Sequence, residues 1–300
     1  LSRLRQYKTE EHAAYEAFLR GNNTPQANQL AADSHSAMDI HPVEPFHGKA
    51  KDRVAIPRVE MPELSPQERV QSIYREVNLG LTYQQAITEA HRCLDCKNPT
   101  CVQGCPVNIN IPAFIKQLEI GNVMAAAQVI QQSSTLPAVC GRVCPQEKQC
   151  EAQCIHLKMG KQPVAIGYLE RFVADYAAEH TQEYHSHETT PTSNAPKIAV
   201  VGSGPAGLAF AGDMAKYGYQ VTVFEALHEI GGVLKYGIPE FRLPNKIVDR
   251  EIDGLRRLGV TFQCDTIIGK TLTIDDLKEQ GFAGIFVGSG AGLPRFMGIP

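Results

Sequence analysis

Eight of the nine cysteines fall between Cys93 and Cys154. They form two groups, Cys93-x-x-Cys96 with Cys101 and Cys105-Pro106, then Cys140, Cys144-Pro145, Cys150 and Cys154. Thiolates at such spacing bind either zinc or iron. Zinc sites favour two closely spaced pairs, whereas cubane clusters use C-x-x-C with further cysteines and a closing C-x-x-x-C-P. The run Cys101-x-x-x-Cys105-Pro106 has that ending. In two-cluster ferredoxins the last cysteine of a run serves the other cluster, so a crossing is expected at Cys105. Zinc-binding knuckles are the alternative. Disulfides fit less well, because no basic start followed by an apolar stretch marks the chain for export. Cys264 stands alone and reads as a small buried hydrophobe.

The second chemical signal is a phosphate cradle. The apolar run Lys197 to Val201 leads into Gly202-Ser203-Gly204-Pro205-Ala206-Gly207, a helical pattern follows, and Glu225 ends the next apolar run. A lone G-x-G-x-x-G is weak, but here it joins a strand to a helix, with an acid about 20 residues on. Gly202 would turn the chain, Gly204 would admit a pyrophosphate, Gly207 would let helix and strand touch, and Glu225 would accept from a ribose. The helix N-terminus would favour the diphosphate charge. The fingerprint alone does not separate FAD from NAD(P). Further glycines at Gly231-Gly232 and Gly288-Ser289-Gly290 suggest backbone packed against one large ligand, with ordinary turns as the alternative.

These residues need two kinds of scaffold. Ser65-Pro66-Gln67-Glu68 and Thr82 with Gln85 are helix starts, because each pair satisfies orphan backbone donors. Pro112 opens a helix closed near Gly121, Asn122 to Gln132 forms another, and Val164 to Tyr176 aligns Ile166, Leu169, Phe172, Val173 and Tyr176. Residues 54–180 therefore read as a helical domain around cysteine-rich loops. A polar stretch at 181–195 is a linker, and residues 196–300 alternate strands and helices in the manner of a parallel α/β sheet. Residues 1–53 read as a helix from Leu4 to Leu19 followed by a linker. The expected class is thus a multidomain α+β protein, a helical cluster domain before a Rossmann-like domain. With 300 residues, net charge -3 and no long apolar run, the composition offers neither the basic face of a nucleic-acid binder nor a membrane span. A cytoplasmic location is expected.

The joint pattern from about Asp52 to Pro300 resembles the small-subunit family of NADPH-dependent glutamate synthase, which shares its N-terminal module with dihydropyrimidine dehydrogenase. Within it, the strings Cys140 to Glu147 (CGRVCPQE) and Tyr236 to Pro244 (YGIPEFRLP) are most similar to the large subunit of NADH-dependent ferredoxin:NADP+ oxidoreductase. The resemblance implies two [4Fe-4S] clusters in a helical ferredoxin-type domain. One would use Cys93, Cys96, Cys101 and Cys154, the other Cys105, Cys144, Cys150 and Glu170, with Cys140 spare; on residue type alone Glu170 is a solvated helix charge. It also implies FAD at Gly202 to Gly207 and Glu225, with Gly232, Val233, Arg242 and Ile268 as further contacts. A nicotinamide nucleotide would deliver hydride to the flavin, which would pass single electrons to the clusters, with electron bifurcation as the leading expectation. The implied partners are a second flavoprotein subunit and a ferredoxin in a hetero-oligomer. A glutamate synthase role and a non-catalytic electron relay are the alternatives, and dihydropyrimidine dehydrogenase fits less well because no pyrimidine domain is visible. The glycine-rich NADPH insert of relatives is not in this sequence, so NADP(H) is expected to bind outside it. Starting at Leu1 and stopping at Pro300, the chain reads as a segment of something longer.

Overall fold

The computed structural model describes Val43, residues 46–180, residues 194–291 and Gly298. The expected helix from Leu4 to Leu19 and most of the expected linker at 181–195 lie outside the described residues.

The helical half starts where its caps predict. Ser65 Oγ accepts from Glu68 N–H at 3.3 Å while Ser65 N–H donates to Glu68 Oε2 at 2.9 Å, a reciprocal pair that opens the turn Pro66–Arg69. Thr82 and Gln85 do the same for α1 (Tyr83–Ala90). Asn110 caps α2 (Ile111–Glu119), and Asn122 caps α3 (Val123–Gln131), each through its side-chain oxygen. Their inner faces bury Ile87, Phe114, Ile115, Leu118 and Ile130. α4 (Pro137–Val143) and α5 (Ile166–Glu179) complete this half.

Three elements differ from the sequence reading. The linker drawn up to residue 53 contains a helical turn, Ala50–Ala55, opened by a Lys49 N–H bond to Asp52 Oδ2 at 2.8 Å. Within the run read as cysteine-rich loops, Thr100–Gln103 and α4 are helical. α5 begins at Ile166 rather than Val164, because the Ala165 N–H is committed to Glu89 Oε1 at 2.8 Å.

The second half is a four-stranded parallel sheet of order β3-β2-β1-β4. In chain order it runs β1 (Lys197–Val201), α6 (Pro205–Lys216), β2 (Gln220–Phe224), α7 (Asn245–Arg257), β3 (Thr261–Gln263), α8 (Ile274–Glu279) and β4 (Phe282–Val287). This is half of a doubly wound sheet, and β1 and β4 flank the point where strand order reverses, the usual place for a ligand.

One apolar core serves both halves. Leu136, Ala138 and Val139 of the α4 segment and Ala174 of α5 pack in the same cluster as Val200, Leu208, Val223, Val248 and Leu255 of the α/β half. Polar contacts edge this seam. Thr135 Oγ1 donates to Asp213 Oδ1 at 3.1 Å, Lys216 Nζ to the Gln131 carbonyl at 2.7 Å, and Arg250 pairs with Asp175 at 2.9 Å. A Cβ on Gly212 would run into Thr135, so a glycine is required at this approach.

Candidate redox-centre sites

Cys93, Cys96, Cys101 and Cys154 line one cavity, walled by Ile111, Ile115, Val164 and Ile166. The Cys93-x-x-Cys96 turn holds Asp95 at φ 49°, in the left-handed region that Asp tolerates better than most residues. Burial pushes the Cys93 thiol up to about 11 and the Cys101 thiol up to about 12. Such thiols ionise only beside strong compensating positive charge, which a bound metal would supply as it displaces the protons. Among the described residues no three His, Cys, Asp or Glu side chains close around a point that could hold a single ion. The four thiols lining this cavity have the ligand chemistry of a cubane.

The second set forms where α4 crosses α5. A Cβ on Gly141 would fall 2.5 Å from the Arg171 backbone nitrogen, so the absence of a side chain there lets the two helices meet. That contact sets Cys140 and Cys144 beside Glu170. The Cys144 thiol is lowered by a hydrogen bond with Cys140, against burial and the nearby Glu170, Cys150 and Cys105. Burial pushes the Cys150 thiol up to about 12, with Glu151, Glu170 and Cys105 adding to the effect. Glu170 is buried, 6% exposed, and its Oε1 has no hydrogen-bond partner. Desolvation raises its carboxyl well above the usual range. A solvated helix charge is therefore not what the fold shows. An orphaned buried acceptor is costly unless something else bonds to it, and an iron of a cluster is a group that would. Cys140 lies in the same cluster of side chains, its sulfur 4.0 Å from Ser134 Oγ.

The glycines of the fingerprint have three distinct surroundings. Gly202 has φ +97°, and a Cβ there would meet the Gly288 carbonyl. Gly207 packs directly under the Gly202 carbonyl. Space beside Gly204 is open, which is where a diphosphate would approach. No side chain caps α6, and Pro205 at its first position, which lacks an N–H, is exposed together with Ala206. Glu225 accepts from Ser203 N–H at 2.8 Å, Ser203 Oγ at 2.5 Å and Leu227 N–H at 2.9 Å. Burial opposes its ionisation, but these bonds hold its carboxyl below the usual range. Gly232, at φ 51°, packs on the Gly204 backbone and carries the next segment over the cradle. Val233 is 56% exposed and Arg242 is exposed. Ile268 is half-buried on the small core of Ala199, Phe224 and Leu277, two residues after Thr266, whose N–H bonds the Glu225 carbonyl at 2.9 Å. Cys264 packs half-buried at the edge of the main core.

Residues 69–182 match a family model described as dihydropyrimidine dehydrogenase domain II, 4Fe-4S cluster. Residues 200–251 match one described as an NAD(P)-binding Rossmann-like domain. The chain joins a 4Fe-4S domain to a Rossmann-like domain. It is 38% identical over 229 residues to the NAD-dependent dihydropyrimidine dehydrogenase subunit PreT of Escherichia coli K12, covering 75% of this chain and 55% of that protein. It is 35% identical over 229 residues to the glutamate synthase [NADPH] small chain of Halomonas elongata, covering 76% of this chain and 48% of that protein. The 4Fe-4S Rossmann-type chain thus spans about half the length of these relatives, and its resemblance to the glutamate synthase small-subunit and dihydropyrimidine dehydrogenase families is shown at this level of identity.

Several residues of the 4Fe-4S domain and its neighbour escape a sequence reading. Gly141 looks like any helix glycine until its crossing is seen. Arg142, inside the cysteine string, pairs with Asp175 at 2.8 Å and Glu76 at 2.8 Å, and Asp175 in turn holds Arg250. Arg92 and Glu89 form a buried pair next to the first cysteine set. Glu251 reaches back from α7 to the backbone of α4. Apart from the Arg92–Glu89 pair itself, three residues apart, these contacts bridge residues far apart in sequence, so no local pattern marks them.

Proposed function

We propose that this segment is the electron-transfer module of an NAD(P)H-dependent iron–sulfur flavoprotein. In this reading Cys93, Cys96, Cys101 and Cys154 hold one [4Fe-4S] cluster, and Cys105, Cys144, Cys150 and Glu170 hold a second. FAD lies on Gly202 to Gly207, with Glu225 toward the ribose and Gly232, Val233, Arg242 and Ile268 beside it. When bound, the flavin converts two-electron into one-electron chemistry and the clusters carry single electrons. The observation that carries the reading is the common core under α4, α5 and the sheet, because the helices that bear Cys140, Cys144 and Glu170 share it with the strand and helix that flank the glycine loop.

The chain's own residues then have defined tasks. Apolar walls from Ile111, Ile115, Val164 and Ile166 line the first set, which would favour low charge on a group bound there. Glu170 presents a carboxylate oxygen in place of a fourth thiolate, a change of ligand type that tunes a cluster's potential. Ser203 aligns Glu225 through two hydrogen bonds, so the carboxylate is preset before a ribose arrives. No general base is required among these residues. NADP(H) would bind outside this sequence, and the electrons would leave to a ferredoxin or a partner flavoprotein subunit, with bifurcation as the leading form of the reaction. Relatives named as a subunit and a small chain support a partner protein.

Anaerobic purification of the full-length protein tests this. About eight iron atoms with matching labile sulfide and one FAD per chain are expected, from two four-iron clusters and one flavin. A colourless protein, or one carrying zinc, would refute it. The names of the glutamate synthase small chains favour a second reading, in which the module feeds a glutamate-forming partner. Glutamine-dependent glutamate formation with that partner would select it over ferredoxin reduction.

A further inference from the structure

α4 has an unusual start. Its N-cap, Leu136, offers no side-chain acceptor, and Pro137 follows at the first position. The next amide is nevertheless satisfied, because Ala138 N–H donates to Glu251 Oε1 at 2.6 Å. The acceptor comes from α7 of the Rossmann-like domain, 113 residues away. A carboxylate at a helix N-terminus both answers orphan donors and complements the helix dipole. Two residues on, the same helix presents Cys140, and Cys144 follows as its C-cap.

The surroundings of this carboxyl are specific. On its own helix the preceding residue, Arg250, is tied to Asp175 of α5. Cys140 and Glu170 lie close enough for their ionisation to be raised by Glu251, and Lys216 of α6 senses it as well. Leu136, Ala138 and Val139 are packed in the core that belongs mainly to the α/β half. The cysteine-bearing helix is therefore anchored at its backbone and at its apolar face by the neighbouring domain.

We propose that Glu251 is a positioning residue for the second cluster, a cap supplied by the nucleotide-binding domain that holds α4 in the register needed by Cys144 and Glu170. The second cluster is then a property of both domains, while the first depends on the helical domain alone. This rests on the two-cluster reading above.

The test compares the full-length holoprotein with Glu251→Ala and Glu251→Gln, all prepared anaerobically. Iron and labile sulfide are counted, and the reduced clusters are resolved by EPR during a dithionite titration. Wild-type protein should hold about eight iron atoms per chain. Glu251→Ala should fall to about half that, losing one EPR signal and keeping the other. Glu251→Gln keeps the acceptor oxygen and removes the charge, so it should retain both clusters and move the midpoint potential of that one cluster upward. Full iron with unchanged potentials in both variants would overturn the inference. So would loss of both clusters in step, since that marks general destabilisation; in that case an unmoved potential in Glu251→Gln is the decisive result against it. Wild-type protein with only four iron atoms would sink the two-cluster reading itself, a result distinct from either of these.

Discussion

Replacing Arg92 with Met tests the scaffold of the first cysteine set. Arg92 is 1% exposed and Glu89 is fully buried. The guanidinium donates to Glu89 Oε1 at 2.5 Å and to the carbonyls of Gln162 at 2.6 Å, Pro163 at 2.8 Å and Ile56 at 3.1 Å. It thereby ties the strap before Val164, a wall of the cavity, to α1. Glu89 also accepts from Val59 N–H and Ala165 N–H, at 2.7 and 2.8 Å. Methionine fills much of the volume but leaves a buried carboxylate with two amides and no hydrogen-bonded cation. Breaking a buried pair on one side costs ~3–5 kcal/mol, and each stranded carbonyl adds up to ~1 kcal/mol where it cannot relax to water. We expect a loss of about 4 kcal/mol, a large share of the ~5–15 kcal/mol that stabilises a typical domain. Adding Glu89→Gln should return about 1 kcal/mol, because removing the stranded charge outweighs the one amide bond, from Val59 or Ala165, that the Gln Nε2 can no longer accept. Urea unfolding of the anaerobic holoprotein, followed by far-UV circular dichroism and by loss of visible absorbance, measures both. The reasoning fails if Arg92→Met unfolds within 1 kcal/mol of wild type, or if the double variant is no better than the single one.

Other expectations are more local. Gly141→Ala should push α4 off the Arg171 backbone and remove the cluster at Cys144 and Glu170, read as a halved iron content with the other EPR signal intact. Gly204→Val should fill the space open beside the cradle and lower FAD occupancy at least tenfold, measured as flavin per chain, with iron unchanged. Burial raises the Glu251 carboxyl to about 7, above the ordinary carboxylate range of the unfolded chain, so the folded protein binds this proton more tightly. Its contribution is present below about pH 4.5 and fades as pH rises through about 7, on the order of 3 kcal/mol in all. Wild-type stability should therefore fall relative to Glu251→Gln across that window, and parallel pH profiles of the two would contradict this.

The sequence made the cysteine groups, the glycine fingerprint and several helix starts legible because each is a short-range device. Ser65 with Glu68 and Thr82 with Gln85 act within one turn, and both pairs stand in the fold as their spacing predicts. α4 was not legible: seven residues with a central glycine give no apolar period, and its cap lies in another domain. The turn Ala50–Ala55 buries no residue, so hydrophobic spacing had nothing to report. β3 is three residues long and half-exposed, and it is recognised only through its register with β2. Glu170 shows the limit most clearly. Its residue type argues for solvent, and the crossing at Gly141 accounts for its burial, with Oε1 left without a hydrogen-bond partner.

The core shared by α4, α5 and the sheet bears on how such a protein can be recombined. A chimera cut in the polar stretch after α5 looks safe on paper, since the sequence there offers no apolar pattern. It would nonetheless expose Leu136, Ala138 and Val139 to a foreign surface and strand the amide of Ala138. Swaps between homologues should succeed only when the donor brings the matching faces of α6 and α7, so these two halves are expected to be inherited and exchanged together.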